Sequence, residues 1–374
     1  MRLHRRHTAF EAGAEGDEGM GEILGVGMSH YPGFSLDPKT MGRQIVGNIE
    51  RCVERGWAHP KWREPSNWPA PLQEEWGDDN GVAAGIKHRA VHLDAVKKAR
   101  EAVDAFRPDI VLIWGDDQWE NYHEDLVPPF AVYAWDEMNN PHRRSRFGGT
   151  NVWGEPDDKV FTYPGNRKAG KYLVNKLMDE GFDIAYSYGP LHRDAMSHAF
   201  FNSLLYLDDD RKGWDYPVIP FHINCYGDRF VISRGTGGPV PDGVELDPNA
   251  PSPKRCFDMG AAVARVFKES SYKAVLIGSS SWSHGGLTAS HEYIWPDLEA
   301  DGRLLERLQA NDLASFRDLT TEQLIEAGQV EVPNWCAVIG AMHELGQKAE
   351  IVSYAPSHIF NSSKCVALFQ PAGG

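Results

Sequence analysis

Residues 87–118 read KHRAVHLDAVKKAREAVDAFRPDIVLIWGDDQ. Over 87–106, Leu93, Val96, Val103 and Phe106 recur at helical spacing, while Lys97, Lys98, Arg100 and Glu101 face the other way. That periodicity predicts an amphipathic helix. Arg107-Pro108 ends it, because proline disfavours helical conformation in the residue before it. Residues 109–114 then run DIVLIW, which predicts a buried strand, and the polar turn Gly115-Asp116-Asp117-Gln118 follows. A helix feeding a buried strand is the repeating unit of α/β layering.

The unit recurs on both sides. Upstream, residues 22–27 predict a short strand ending in Met28-Ser29-His30-Tyr31-Pro32-Gly33, and residues 57–82, rich in Trp, Pro and acidic groups, predict an irregular insertion. Downstream, 169–180 predicts a helix and 183–186 a strand. Residues 215–223 predict a strand that two prolines place near a sheet edge. Ser252-Pro253 opens a helix reaching 267. Residues 274–277 predict a buried strand running into the cluster at 278–286. A helix carries Trp335, Val338, Met342 and Leu345 and stops at Gly346, and 351–354 is a late strand. No repeat, linker or low-complexity run divides the chain. The expectation is one α/β domain over 21–374, with a central mixed sheet flanked by helices and loop insertions around the active site, chiefly the aromatic-rich stretch 119–165. Residues 1–20 are expected to form a loose arm.

Composition narrows the function. The 374 residues are 41% hydrophobic and 24% charged, as in an ordinary globular protein. A net charge of −15 argues against nucleic acid or an anionic membrane surface as partner. Five scattered cysteines without CxxC spacing read as reduced thiols of a cytoplasmic protein. No apolar run nears the roughly 20 residues of a membrane helix. The chain lacks G-x-S-x-G, G-x-x-x-x-G-K-[ST], a helix-opening G-x-G-x-x-G and H-E-x-x-H. It therefore offers no serine-hydrolase elbow, phosphate loop, dinucleotide loop or zincin helix.

What remains is a set of polar clusters at predicted strand ends, where open α/β sheets bind ligands. His30 follows the first strand, Asp116-Asp117-Gln118 the second and His284 a late one. Each has a plain alternative: a hydrogen-bonded structural histidine, an aspartate capping the next turn, or, for Glu331 before Pro333, a helix-start carboxylate favoured by the dipole.

In this order, Ser29-His30-Tyr31-Pro32, the Asp116-Asp117-Gln118 turn, Ser283-His284-Gly285-Gly286 and Glu331-Val332-Pro333-Asn334-Trp335 resemble the motifs of the class III extradiol ring-cleavage dioxygenases, the family of the protocatechuate 4,5-dioxygenase catalytic subunit. The resemblance runs from about 25 to 354. It implies a non-haem Fe(II) centre, a small aromatic diol or aminophenol and O₂ as reactants, and a homo-oligomer. It makes His30 and Glu331 metal ligands, His284 the acid–base histidine, and His198 a second pocket histidine that meets substrate. Gln118 stands where the family's second histidine ligand is expected, and His123 lies five residues on as another candidate. The family's helical small subunit is not encoded here. In the insertion, Arg143, Arg144, Arg146 and Lys159 are candidates for holding a ring carboxylate. Two other readings keep the scaffold. One is a divalent-metal hydrolase using Asp116, Asp117, His30 and Glu331 to activate water. The other is a metal-poor subunit that stabilises a catalytic partner.

Overall fold

The apolar runs become strands. The computed structural model describes residues 20–141, 152–156 and 158–371. Its strands are β1 (Glu22–Met28), β2 (Ile110–Gly115), β3 (Phe130–Tyr133), β4 (Glu137–Pro141), β5 (Val160–Pro164), β6 (Ala185–Ser187), β7 (Val218–Ile223), β8 (Lys273–Ser279), β9 (Gln347–Ala355) and β10 (Lys364–Pro371). Eight of them form one sheet in the order β6-β3-β7-β2-β8-β1-β10-β9, and β4 pairs with β5 apart from it. The middle four strands, β7, β2, β8 and β1, are mutually parallel. On the flanks, β3 runs antiparallel to β7, β10 to β1 and β9 to β10, while β6 lies parallel to β3. This is a single α/β domain with a central mixed sheet between helices. No helix among the described residues is long and apolar enough to cross a membrane.

Parallel central strands covered on both faces must be apolar throughout, and β2 and β7 are buried at every position. The helix Val82–Phe106 covers one side, turning His92, Leu93, Val96 and Val103 inward. The helix Val332–Glu344 lies against the sheet at close range. A Cβ on Gly27 would come within 2.3 Å of the Trp335 ring, and one on Gly278 within 2.5 Å of Val338. Glycine in β1 and β8 thus lets the helix that begins after Glu331 settle over the two strands carrying His30 and His284 at their ends.

Three expectations need revision, and one strand is added. Residues 57–82 are largely regular: two 3₁₀ turns (Pro60–Arg63 and Pro65–Asn67) lead into the helix Ala70–Trp76. Pro220 does not put its strand at an edge, since β7 lies between β3 and β2. The β3 ladder stops at Phe221, one residue short of Pro220, where a missing N–H interrupts least. The 119–165 stretch is not purely an insertion, because it supplies β3 to the main sheet as well as the β4–β5 pair. The chain after 354 adds β10, which pairs with β1 in the sheet interior. Of the expected arm, residues 1–19 lie outside the described residues, as do Arg143, Arg144 and Arg146. Lys159 pairs with Glu155 and sits 4.6 Å from the Phe161 ring centre, away from the cleft described next.

Candidate functional site

The ends of the parallel strands open into a cleft of about 1680 Å³ whose walls include His30, Gln118, His198, Tyr226, His284 and Glu331. Residues spread over three hundred positions meet because β7, β2, β8 and β1 end side by side. His30 leaves β1 at the second residue past its end and is buried. Its Nδ1 is 2.9 Å from the Ser279 hydroxyl and 3.2 Å from the Ser279 carbonyl. With Nδ1–H given to that carbonyl, Nε2 keeps its lone pair for the cleft.

Glu331 is the N-cap of the helix Val332–Glu344, and its side chain is buried. Oε1 accepts from the Tyr226 hydroxyl at 3.0 Å and from the Gln118 amide at 3.1 Å. Oε2 has no hydrogen-bond partner. It lies 3.8 Å from His30 Nε2 and 3.6 Å from His284 Nε2. Asp116, fully buried just past β2, brings a second carboxylate. Donor atoms of His30, Asp116 and Glu331 all fall within 4.8 Å of one another. One turn into the Glu331 helix, the Asn334 amide donates to Asp116 Oδ1 at 3.3 Å, and the Trp335 indole donates to the Ser280 carbonyl at 3.0 Å. The i, i+3 and i+4 spacing of Glu331, Asn334 and Trp335 puts all three on the helix turn that faces the strand ends.

This donor set suits a divalent cation. Burial, then the charge of Glu331, pushes the Asp116 carboxyl up to about 8, and burial pushes Glu331 up to about 7. Two buried carboxylates this close resist joint ionisation unless a cation stands beside them. The unbonded Oε2 and the free face of His30 are where that cation would bind.

Two further histidines differ in charge. His284 Nδ1 lies 2.8 Å from the Trp282 carbonyl, which fixes the proton on Nδ1 and leaves the Nε2 lone pair free. Burial lowers its pKa to about 4, so the ring is neutral near pH 7. His198 begins the helix His198–Leu207, and its ring meets His30 edge-on with centroids 5.1 Å apart. Burial alone would lower its pKa, but the charge of Glu120, with Nδ1 2.8 Å from Glu120 Oε2, raises it to about 9. His198 is therefore an imidazolium. Arg193 pairs with the same Glu120.

Of the expected site residues, His30, Gln118, His198, His284 and Glu331 all line the cleft. His123 also lines it, but its ring stacks between Trp119 and His192, with centroids at 4.6 and 4.0 Å, and it is not in the converging cluster. The plain reading of Asp117 holds: its carboxylate accepts the backbone N–H of Glu120 and Asn121 at 2.8 and 2.9 Å. Sequence reasoning missed Tyr226 and Glu120 and gave Asn334 no role of its own. Tyr226 had a usable signal, since it follows β7 closely as His30 follows β1.

Residues 246–367 match the family described as the catalytic LigB subunit of aromatic ring-opening dioxygenase, a span that includes His284 and Glu331. A 2,3-dihydroxyphenylpropionate/2,3-dihydroxicinnamic acid 1,2-dioxygenase of Comamonas testosteroni is 27% identical over 237 residues, covering 63% of this chain and 60% of that one. A second enzyme of that name from Pseudomonas putida is 24% identical over 246 residues, covering 64% and 63%. The chain is homologous to the class III extradiol ring-cleavage dioxygenases. It aligns over less than two thirds of the length of these extradiol relatives. Among solved structures, an uncharacterized protein of Escherichia coli K12 aligns with 75% of this chain and 92% of its own at 12% identity and a TM-score of 0.43, too distant to inform function.

Proposed function

We propose that this chain is an Fe(II)-dependent dioxygenase that opens a catecholic or aminophenolic ring with O₂ by extradiol cleavage. The observation that carries the reading is the buried, unbonded oxygen of Glu331 between the imidazoles of His30 and His284, in a chain homologous to extradiol enzymes. His30, Glu331 and the turn Asp116-Asp117-Gln118 would hold the iron, which supplies the redox chemistry that lets O₂ react with an electron-rich ring.

The chain's own groups divide the proton work. His284 is neutral with Nε2 free, so it takes the phenolic proton and later returns it. His198, an imidazolium held by Glu120, offers an N–H and a positive charge to a phenolate oxygen. Environments that push two histidines apart in pKa are what an acid and a base in one pocket require. The names of the relatives carry carboxylated diols, and Arg43 and Arg51 on the cleft wall would meet such a carboxylate. The reading carries with it a cytoplasmic location, in keeping with five free, buried cysteines, and a homo-oligomeric assembly.

Anaerobic loading with Fe(II), followed by O₂ uptake against a panel of carboxylated catechols, tests the proposal. Oxygen consumption matched to loss of the catechol is expected. His284→Phe should lower turnover by a factor of about 10² to 10⁴ while the iron content stays at the wild-type level; loss of iron in that variant would refute the acid–base role. A second reading rests on the two carboxylates in the cluster, which also suit a metal that activates water. Product formed without oxygen would select it.

A further inference from the structure

We infer that Gln118 does not bind the metal but holds Glu331 in place, and that Asp116 supplies the third donor in its stead. The inference rests on the metal site proposed above. The Gln118 side-chain nitrogen lies 2.7 Å from the Tyr226 hydroxyl and 3.1 Å from Glu331 Oε1, and Tyr226 in turn donates to that same oxygen at 3.0 Å. An amide nitrogen has no lone pair to give a metal. Turning the amide over would set its carbonyl oxygen 3.1 Å from a carboxylate oxygen, two acceptors face to face. The amide nitrogen is therefore fixed toward Tyr226 and Glu331, with Asp116 Oδ2 at 3.5 Å, and the carbonyl oxygen cannot take that place.

The consequence for Glu331 is geometric. With Oε1 claimed by two donors, only Oε2 remains, and it is buried, unbonded and faces His30. Asp116 sits two residues before Gln118 at the end of the same strand, and its carboxylate completes a cluster with His30 and Glu331 inside 4.8 Å. One imidazole and two carboxylates balance the charge of a divalent cation in full, where two imidazoles and one carboxylate leave it a net positive charge. Such an oxygen-rich set suits harder divalent ions such as Mn²⁺ alongside Fe²⁺.

Mn²⁺ serves as an air-stable probe, its binding followed by the loss of the free-ion EPR signal. The wild type is expected to bind one Mn²⁺ per chain, with one coordinated imidazole nitrogen in pulsed EPR. Gln118→Ala and Tyr226→Phe should bind about tenfold more weakly and keep the same nitrogen count, as expected for groups that orient a ligand. Asp116→Asn should lose more than about 100-fold, beyond that range. Gln118→His should show a second nitrogen only if position 118 can reach the metal, and finding it would overturn the placement of this side chain. Abolished binding in Gln118→Ala, or two coordinated nitrogens in the wild type, would also overturn the inference, whether or not Asp116→Asn folds. A wild type that binds no divalent ion would instead bring down the parent metal site.

Discussion

Asp301 lies in the first turn of the helix Leu298–Gln309 and is fully buried. Its carboxylate accepts from the Ser283 backbone N–H at 2.9 Å, the Gln329 amide at 2.8 Å and the Ser363 hydroxyl. Ser283 precedes His284, Gln329 stands two residues before Glu331, and Ser363 leads into β10. One carboxylate thus ties together three segments that shape the cleft. Asp301→Ala should cost about 3 kcal/mol or more in urea unfolding, because each buried donor left without an acceptor costs about 1–3 kcal/mol. Asp301→Asn keeps one accepting oxygen and should lose about half as much; equal losses in the two variants would deny the hydrogen bonds this role. The same distinction explains what the sequence disclosed of the site. His30, His284 and Glu331 were legible because each sits in a motif at the end of a predicted strand or the start of a predicted helix. The contacts Gln118 makes with Tyr226 and Glu331 were not, because the turn after β2 has no periodicity, and Trp119 bends it further with φ +62°. Glu120 and His198 are 78 positions apart, and nothing local announces that they pair.

The two helices behind the site, Pro253–Lys268 and Val332–Glu344, cross at backbone distance. A Cβ on Gly260 would fall 1.8 Å from the Ala337 carbonyl oxygen, and one on Gly340 would fall 2.1 Å from the Phe257 carbonyl oxygen. Backbone cannot yield as a side chain does, so Gly340→Ala should destabilise the fold by about 3 kcal/mol, at the upper end of overpacking costs. Gly302 is the control. It lies inside the helix Leu298–Gln309, and a methyl added there would meet nothing within 4 Å, so Gly302→Ala should stabilise by about 0.5–1 kcal/mol. Paired denaturation curves check both signs. At this scale the pattern of apolar residues was informative where elements are long. The helix expected at 87–106 spans Val82–Phe106, and the strand expected at 109–114 spans Ile110–Gly115. Short or polar elements escaped it. The helix His198–Leu207 is buried nearly all round and shows no amphipathic stripe, and the β4–β5 pair alternates over only five residues. The strand order was beyond it altogether, since Lys364–Pro371 reaches β1 only through tertiary pairing.

For the molecule as a whole, acid stability is a contest between buried groups of opposite sign. Burial, reinforced by the charge of Lys364, lowers the pKa of His92 to about 3; its ring stacks on Phe34 at 4.5 Å, and its Nε2 lies 3.2 Å from the Ser29 carbonyl. The unfolded chain protonates this imidazole near pH 6.5, whereas the folded chain does so only near 3. Between those values the unfolded state binds more protons, so stability falls as pH falls. Asp301 works the other way. Burial raises its pKa to about 6, so the folded state takes the proton first, and its contribution grows as pH falls from about 6 toward the unfolded value near 4. A single wild-type profile mixes these terms, but a difference between two chains isolates one. From pH 7 to pH 5 the wild type should lose about 2 kcal/mol more than His92→Gln, the linkage expected for one histidine shifted this far. Urea unfolding of both proteins at the two pH values measures it. Parallel losses would mean that His92 is solvated or protonated in the folded chain, and that the packing of the Val82–Phe106 helix against the His30 loop is looser than its burial implies.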